Sequence, residues 1–217
     1  MKNSTRLLLT ISCIALVSAC APEAEEALFN GKDLSNWSIY LENDDAAPEE
    51  VFWVEDGMIH TSGVPNGYIR SKKSYSNFDL HIEWRWIEEA INSGVLLHVQ
   101  GEDMLWPMCV ECQLMHEHAG DLILMGKGTG MAGKDSSYLV QSEEDRYIVV
   151  PKWEESSEHA PGEWNSYDIS SLNGRIDVKV NGILQHSGTA MTLTEGNIAL
   201  QSEGAPMEFR NIVLTEK

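Results

Sequence analysis

The chain has 217 residues and a formal net charge of −19. So acidic a surface repels nucleic acid and anionic lipid headgroups, which leaves neutral molecules such as sugars as compatible ligands. Its 42% hydrophobic content and seven tryptophans exclude a disordered chain.

The N-terminal stretch reads as an export signal. Lys2 and Arg6 form a basic start, and the apolar run from Leu7 to Val17 is too short to span a bilayer as a helix. Val17-Ser18-Ala19-Cys20 matches a bacterial lipoprotein processing box. On this reading residues 1–19 are the signal peptide, 20–27 are a lipidated Cys20 with an acidic tether, and 28–217 are one folded domain. An ordinary secretory signal cut near Ala19 or Ala21 is the alternative. Either way the protein is exported. Ala21 after the cysteine favours the periplasmic side of the outer membrane, or the cell surface, with membrane contact only through the lipid anchor. About 200 residues remain, enough for one sizeable core.

Short β-type runs follow one another along the domain. They are Phe52–Glu55, Met58–Thr61, Phe78–Trp86, Gly94–Val99, Val110–Met115, Tyr147–Val150, Trp164–Ile169, Arg175–Val180, Ile198–Ser202 and Glu208–Leu214. Asp56-Gly57, Asn66-Gly67, Asn173-Gly174 and Asn181-Gly182 mark turns between them. No 12-residue stretch carries a helical period, and residues 120–144 read as a long loop. The pattern predicts an all-β sandwich or jelly roll.

Two motifs are discounted. Gly128-Thr-Gly-Met-Ala-Gly133 fits a dinucleotide fingerprint and the start of a P-loop, but Asp135 stands where the magnesium-binding hydroxyl belongs. Neither match lies in a β-α-β context, so no nucleotide cofactor is expected. Cys109 and Cys112 form C-x-x-C on a strand. Residues three apart on a strand lie ~10 Å apart, beyond disulfide reach, and there is no second pair for zinc. Buried free thiols are the favoured reading over a redox motif.

Four segments could carry chemistry. On Phe78–Trp86, alternation puts Asp79, His81, Glu83 and Arg85 on one face, either solvated or as an inward Glu83–Arg85 pair. On Asn92–His98, Gly94, Leu96 and His98 share a face. An apolar setting would keep His98 neutral and able to exchange a proton. On Trp106–His116, Glu111 and Gln113 share a face, and a bulge would add His116. The spacing E-x-Q-x-x-H echoes the E-x-D-x-x-E of laminarinase-type glucanases, with Gln and His replacing the second and third acids. His116, His118 and Asp121 are candidates for a divalent metal. In Gly196–Ile212, two strands flank a Gly-Ala-Pro turn. Ile198, Leu200 and Ser202 point one way, and Ala199, Gln201 and Glu203 the other. A solvated edge strand would show the same alternation.

Taken together, Leu28–Trp37, Gly67-Tyr-Ile-Arg70, Tyr75–Leu80, Glu83-Trp-Arg85, Asn92-Ser-Gly94, Glu111-x-Gln113, Gly162–Asn165, Val180-Asn-Gly182 and the 196–212 block stand in order. In that order they resemble the 3-keto-disaccharide hydrolase family from residue 28 to 214. The resemblance implies a concanavalin A-like jelly-roll β-sandwich with its site on the concave sheet. Three positions depart from the common pattern. His98 stands where many members have Arg, His116 where many have Asp, and Glu203 where many have His.

The resemblance also implies a sugar already oxidised to a ketone at C3 by a partner oxidoreductase. The ketone acidifies the C2 proton, so a base can form an enolate and the C1 substituent can leave. Water then adds to complete net hydrolysis. The expected base is Glu111 or His98. Arg85, with Glu83 holding it, would polarise the ketone, alone or aided by a divalent metal. Glu203 or His116 would serve as acid, and Gln113, Gln201, Trp106 and Asn92 would bind the sugar. The rivals are a non-catalytic carbohydrate-binding lipoprotein and an ordinary glycosidase that uses Glu83 and Glu111 on unoxidised glycans.

Overall fold

The structure is a computed structural model that describes residues 25–217. The expected signal peptide and Cys20 lie outside the described residues. The strands are Glu25–Ala27 (β1), Trp37–Leu41 (β2), Phe52–Glu55 (β3), Met58–Thr61 (β4), Gly67–Ser71 (β5), Phe78–Trp86 (β6), Gly94–Gln100 (β7), Met108–Gln113 (β8) and Leu122–Met125 (β9). Then come Gly130–Ala132 (β10), Ser137–Leu139 (β11), Tyr147–Val150 (β12), Asn165–Leu172 (β13), Arg175–Val180 (β14), Ile183–Gly188 (β15), Asn197–Ser202 (β16) and Met207–Glu216 (β17). One helical turn, Pro48–Val51 (α1), precedes β3.

Two antiparallel sheets face each other, as alternating patterns require. Sheet A runs β15-β14-β13-β6-β17-β4-β3, with β1 also on β17; sheet B runs β12-β9-β8-β7-β16-β5-β2. β6 shows why the sequence folds this way. Phe78, Leu80, Ile82, Trp84 and Trp86 are all buried on one side, while Asp79, His81, Glu83 and Arg85 are only half-buried on the other. Burying each large side chain contributes roughly 1.5–3 kcal/mol before entropy is counted. These side chains meet Val95, Leu97, Val110, Cys112, Ile198 and Leu200 from sheet B in one core.

Three of the four turn signals are tight turns. Asp56-Gly57, Asn173-Gly174 and Asn181-Gly182 each have positive φ at both residues, the geometry that an Asn-Gly or Asp-Gly pair adopts cheaply. The fourth differs, because Gly67 opens β5 rather than turning a hairpin. The expected loop at 120–144 instead contains β9, β10 and β11. Leu122–Met125 is buried throughout, a continuous apolar run that carries no period-2 signal. The discounted glycine motif lies around β10, which pairs antiparallel with β11 and opens no helix.

A candidate active site on the outer face of sheet B

β16 sits between β7 and β5, in the middle of sheet B. The alternation that an edge strand would also show therefore belongs to a central strand. Ile198 and Leu200 enter the core, while Ala199 and Gln201 face outward. Register then fixes the neighbours. Gln201 lies opposite Tyr68 on β5, and Ala199 lies opposite Leu96 on β7, which puts Gln201 beside Gly94. Gly94 in turn lies opposite Gln113, and Leu96 opposite Glu111, on β8.

Glu111 is the centre of this face. It is 4% exposed, and burial together with the charge of Glu203 pushes its carboxyl up to about 8. It leans over Gly94: a Cβ on that glycine would lie 2.1 Å from Glu111 Oε1 and 2.5 Å from Gln201 Oε1. Only a residue without a side chain lets the carboxyl and the amide converge there. Gln201 Oε1 is buried with no protein donor, so it is placed to accept from a protonated Glu111. Glu203 continues the face, its backbone bridged to Asn92. Burial raises the Glu203 pKa, while a hydrogen bond from Asn92 pulls it back. Asn92 keeps a buried, unpartnered Oδ1.

One end of the face is closed by the β7–β8 loop. Tyr68 Oη donates to Asp103 Oδ1 at 2.9 Å, and Arg70 donates to Asp103 Oδ1 and the Gly101 carbonyl at 3.1 Å. Arg70 also bonds Asn197 Oδ1, and Tyr40 packs on Tyr68 at 5.2 Å. Sequence reasoning passed over Tyr40, Tyr68, Arg70 and Asp103 as site residues. The alternation around the core residue Ile69 was the signal that Tyr68 and Arg70 share a face. Trp106 lies in the same loop, 36% exposed, at a position open to ligand. Gln113 is on the face, but its Oε1 is committed to the backbone N–H groups of Leu114 and Met115 at 2.8 Å.

The other expected residues lie elsewhere. His98 has a φ of 54° at a bulge where the β7–β8 register shifts between Leu97 and Gln100. The extra residue reverses its direction, so Val99 takes the outward place. His98 is fully buried between the sheets, with Nε2 2.9 Å from Ser171 Oγ on sheet A and burial lowering its pKa to about 4. It is neutral, as expected, but a core residue rather than a base in the groove.

Glu83 and Arg85 lie on the outer face of sheet A, with the whole core between them and Glu111. Arg85 pairs with Glu208, and Glu83 Oε2 accepts from Arg210 at 2.6 Å. Trp164 packs against both guanidinium groups. Burial pushes the Glu83 carboxyl up, but hydrogen bonds from Asn211 and Arg210 outweigh it and leave its pKa lowered. The solvated-face reading holds there. Neither the Arg85 ketone contact nor a Glu83–Glu111 carboxylate pair survives this separation.

β8 ends at Gln113, so no bulge brings His116 onto the Glu111 face. It lies in the following turn, with Nδ1 3.6 Å from Glu158. His118 pairs with Asp121 at 2.9 Å. Among the described residues no three His, Cys, Asp or Glu side chains gather as a metal site, so the expected His116–His118–Asp121 set does not form. Cys109 and Cys112 are buried free thiols, Cys109 on the outer face and Cys112 in the core.

A family profile described as the 3-keto-alpha-glucoside-1,2-lyase-like domain matches residues 24–215. No curated protein sequence matches significantly. Among solved structures, a candidate glycosyl hydrolase from Parabacteroides distasonis ATCC 8503 superposes with a TM-score of 0.63 at 24% identity, covering 89% of this chain and 94% of that one. A Bacillus licheniformis beta-glucanase gives 0.58 at 13% identity, covering 90% and 98%. The Bacillus subtilis carbohydrate-binding module CBM66 gives 0.57 at 10% identity, covering 83% and 96%. At these identities the likeness establishes the jelly-roll sandwich fold.

Proposed function

Since the chain belongs to the 3-keto-alpha-glucoside-1,2-lyase-like domain family, a glycoside-acting family, we propose that it cleaves 3-keto-glycosides or 3-keto-disaccharides at the glycosidic bond. The observation that carries the proposal is the Glu111 carboxyl, buried on the outer face of sheet B and free of any ion pair with Lys or Arg among the described residues. A carboxylate with a raised pKa is a stronger base, as proton abstraction next to a ketone requires.

Glu111 takes the C2 proton of the sugar, and the C2–H electrons form an enolate with the C3 carbonyl. The enolate collapses to a C1–C2 double bond as the C1–O bond breaks. The new Glu111 O–H donates to Gln201 Oε1, which stabilises the protonated product state. Glu203, bridged to Asn92 on the same face, relays a proton taken from water to the leaving oxygen. Water then adds across the double bond to release the 3-keto sugar. Trp106 and Asn92 bind the ring. The substrate comes from a separate oxidoreductase, and an exported lipoprotein would meet it outside the cytoplasm.

Incubation with 3-keto-trehalose, with and without added divalent metal, tests the reading. Release of 3-keto-glucose is expected. No release under either condition sinks it, and trehalose binding that Gln201→Ala abolishes, together with no turnover of the 3-keto sugar, would favour a binding lipoprotein instead.

A further inference from the structure

The sandwich is open along one side, where β12 ends sheet B and β15 ends sheet A. Two segments bridge that seam. The β10–β11 hairpin bonds β15's extension through Ala132 and Thr189, and Trp153, just after β12, donates its backbone N–H to the Gln185 carbonyl at 2.8 Å. Between them lies a hollow of about 430 Å3, lined by Lys134, Tyr138, Pro151, Trp153, Glu154 and His186. That volume lies within the range of roughly 300–1,000 Å3 common for small-molecule sites.

His186 sets its chemistry. It lies opposite the core residue Val178, on the inward side of β15, and is 1% exposed. Neither ring nitrogen forms a hydrogen bond within the protein. Burial lowers its pKa against the opposing charge of Asp121, which favours the neutral ring. A neutral imidazole holds one donor and one acceptor, and leaving both unmade in a buried place costs stability. A sugar hydroxyl, which can both donate and accept, satisfies one of these nitrogens whichever tautomer the ring adopts. Trp153 stands beside it, centroid to centroid 5.3 Å, with 41% of its surface exposed as an apolar platform. Lys134 reaches over that indole at 5.9 Å. With Asp135 and Glu154 at the rim, the hollow carries more negative than positive charge, which opposes an anionic ligand.

We propose that this seam between β12 and β15 is a second, non-catalytic binding site for a neutral saccharide, held by His186 and stacked on Trp153. It is separate from the Glu111 face, because β12 and β9 lie between it and β8. The site does not depend on the proposed reaction and survives its failure.

Calorimetric titration of the full-length protein with maltose and with cellobiose tests it. At least one should bind saturably. Glu111→Gln and Gln201→Ala should leave that affinity unchanged, and Trp153→Ala should weaken it at least tenfold. Trp153 is surface-exposed, so its variant remains folded where a buried His186→Phe change would risk the fold. Lys134→Ala provides a second surface probe, expected to weaken binding severalfold. Turnover of a 3-keto-glycoside by Trp153→Ala should match the unmodified protein. Absence of binding by both sugars overturns the proposal, as does binding that Gln201→Ala abolishes and Trp153→Ala spares.

Discussion

The two outer faces of this sandwich both carry acidic residues, but they surround them differently. On sheet A, Glu83, Glu208, Arg85 and Arg210 neutralise one another around Trp164. Such pairs contribute modestly to stability and leave no group free to act on a ligand. On sheet B, Glu111 is more deeply buried, pairs with no Lys or Arg among the described residues, and approaches Gln201 over a glycine. The first carboxylate has its pKa lowered and the second has it raised, and that contrast makes Glu111 rather than Glu83 the candidate base.

The largest expected contrast is in turnover. Glu111→Gln should lower release of 3-keto-glucose by about 10²–10⁴-fold, the usual range for losing a general base. Glu83→Gln should change it less than about twofold, and equal losses in both would erase the distinction. A smaller effect is expected from Gly94→Ala. Its Cβ would force Glu111 and Gln201 apart, and a shift of about 1 Å typically costs up to roughly 100-fold in rate. Steady-state kinetics on the folded variant checks this, and unchanged turnover would show that the convergence over Gly94 is unnecessary.

Stability sharpens the comparison further. The Glu111 pKa is about 8 in the fold against 4.5 in the unfolded chain. The folded state therefore holds the proton more tightly, and stability falls as pH rises from about 4.5 through about 8. Glu111→Gln abolishes that titration. Urea denaturation at pH 9 should find the variant more stable by a few kcal/mol, with the difference shrinking towards pH 5. Glu83 has the opposite sign. Its lowered pKa contributes stability that is present above about 4.5 and lost on acidification, so Glu83→Gln should cost about 0.5–1 kcal/mol at pH 7. A Glu111→Gln variant less stable at every pH would contradict the strain assigned to the buried carboxylate.

Much of the fold was legible because its strands are amphipathic. β6 and β14 follow their sequence patterns to the residue, and Gln201 and Glu203 were separated correctly from Ile198 and Leu200. β9 does not read as a strand in the sequence, because a fully buried strand loses the period-2 signal. The structure brings the candidates Glu111, Gln201, Glu203 and Asn92 to one face and places the other candidates elsewhere for three different reasons. A bulge turned His98 into the core, which single-sequence alternation cannot foresee. Strand termination at Gln113 removed His116. Assignment of β6 and β8 to opposite sheets separated Glu83 and Arg85 from Glu111, and no local pattern records which sheet a strand joins.

The most direct test is hydrogen exchange at C2 of a 3-keto-glycoside in deuterated buffer, followed by NMR for the unmodified protein and the Glu111→Gln and Glu83→Gln variants. Loss of the C2 proton should be catalysed by the unmodified protein, increase with pH up to about 8 as Glu111 ionises, and persist in Glu83→Gln. It should be absent in Glu111→Gln. Exchange that survives Glu111→Gln, or that disappears with Glu83→Gln, would place the base on the other face and contradict the account.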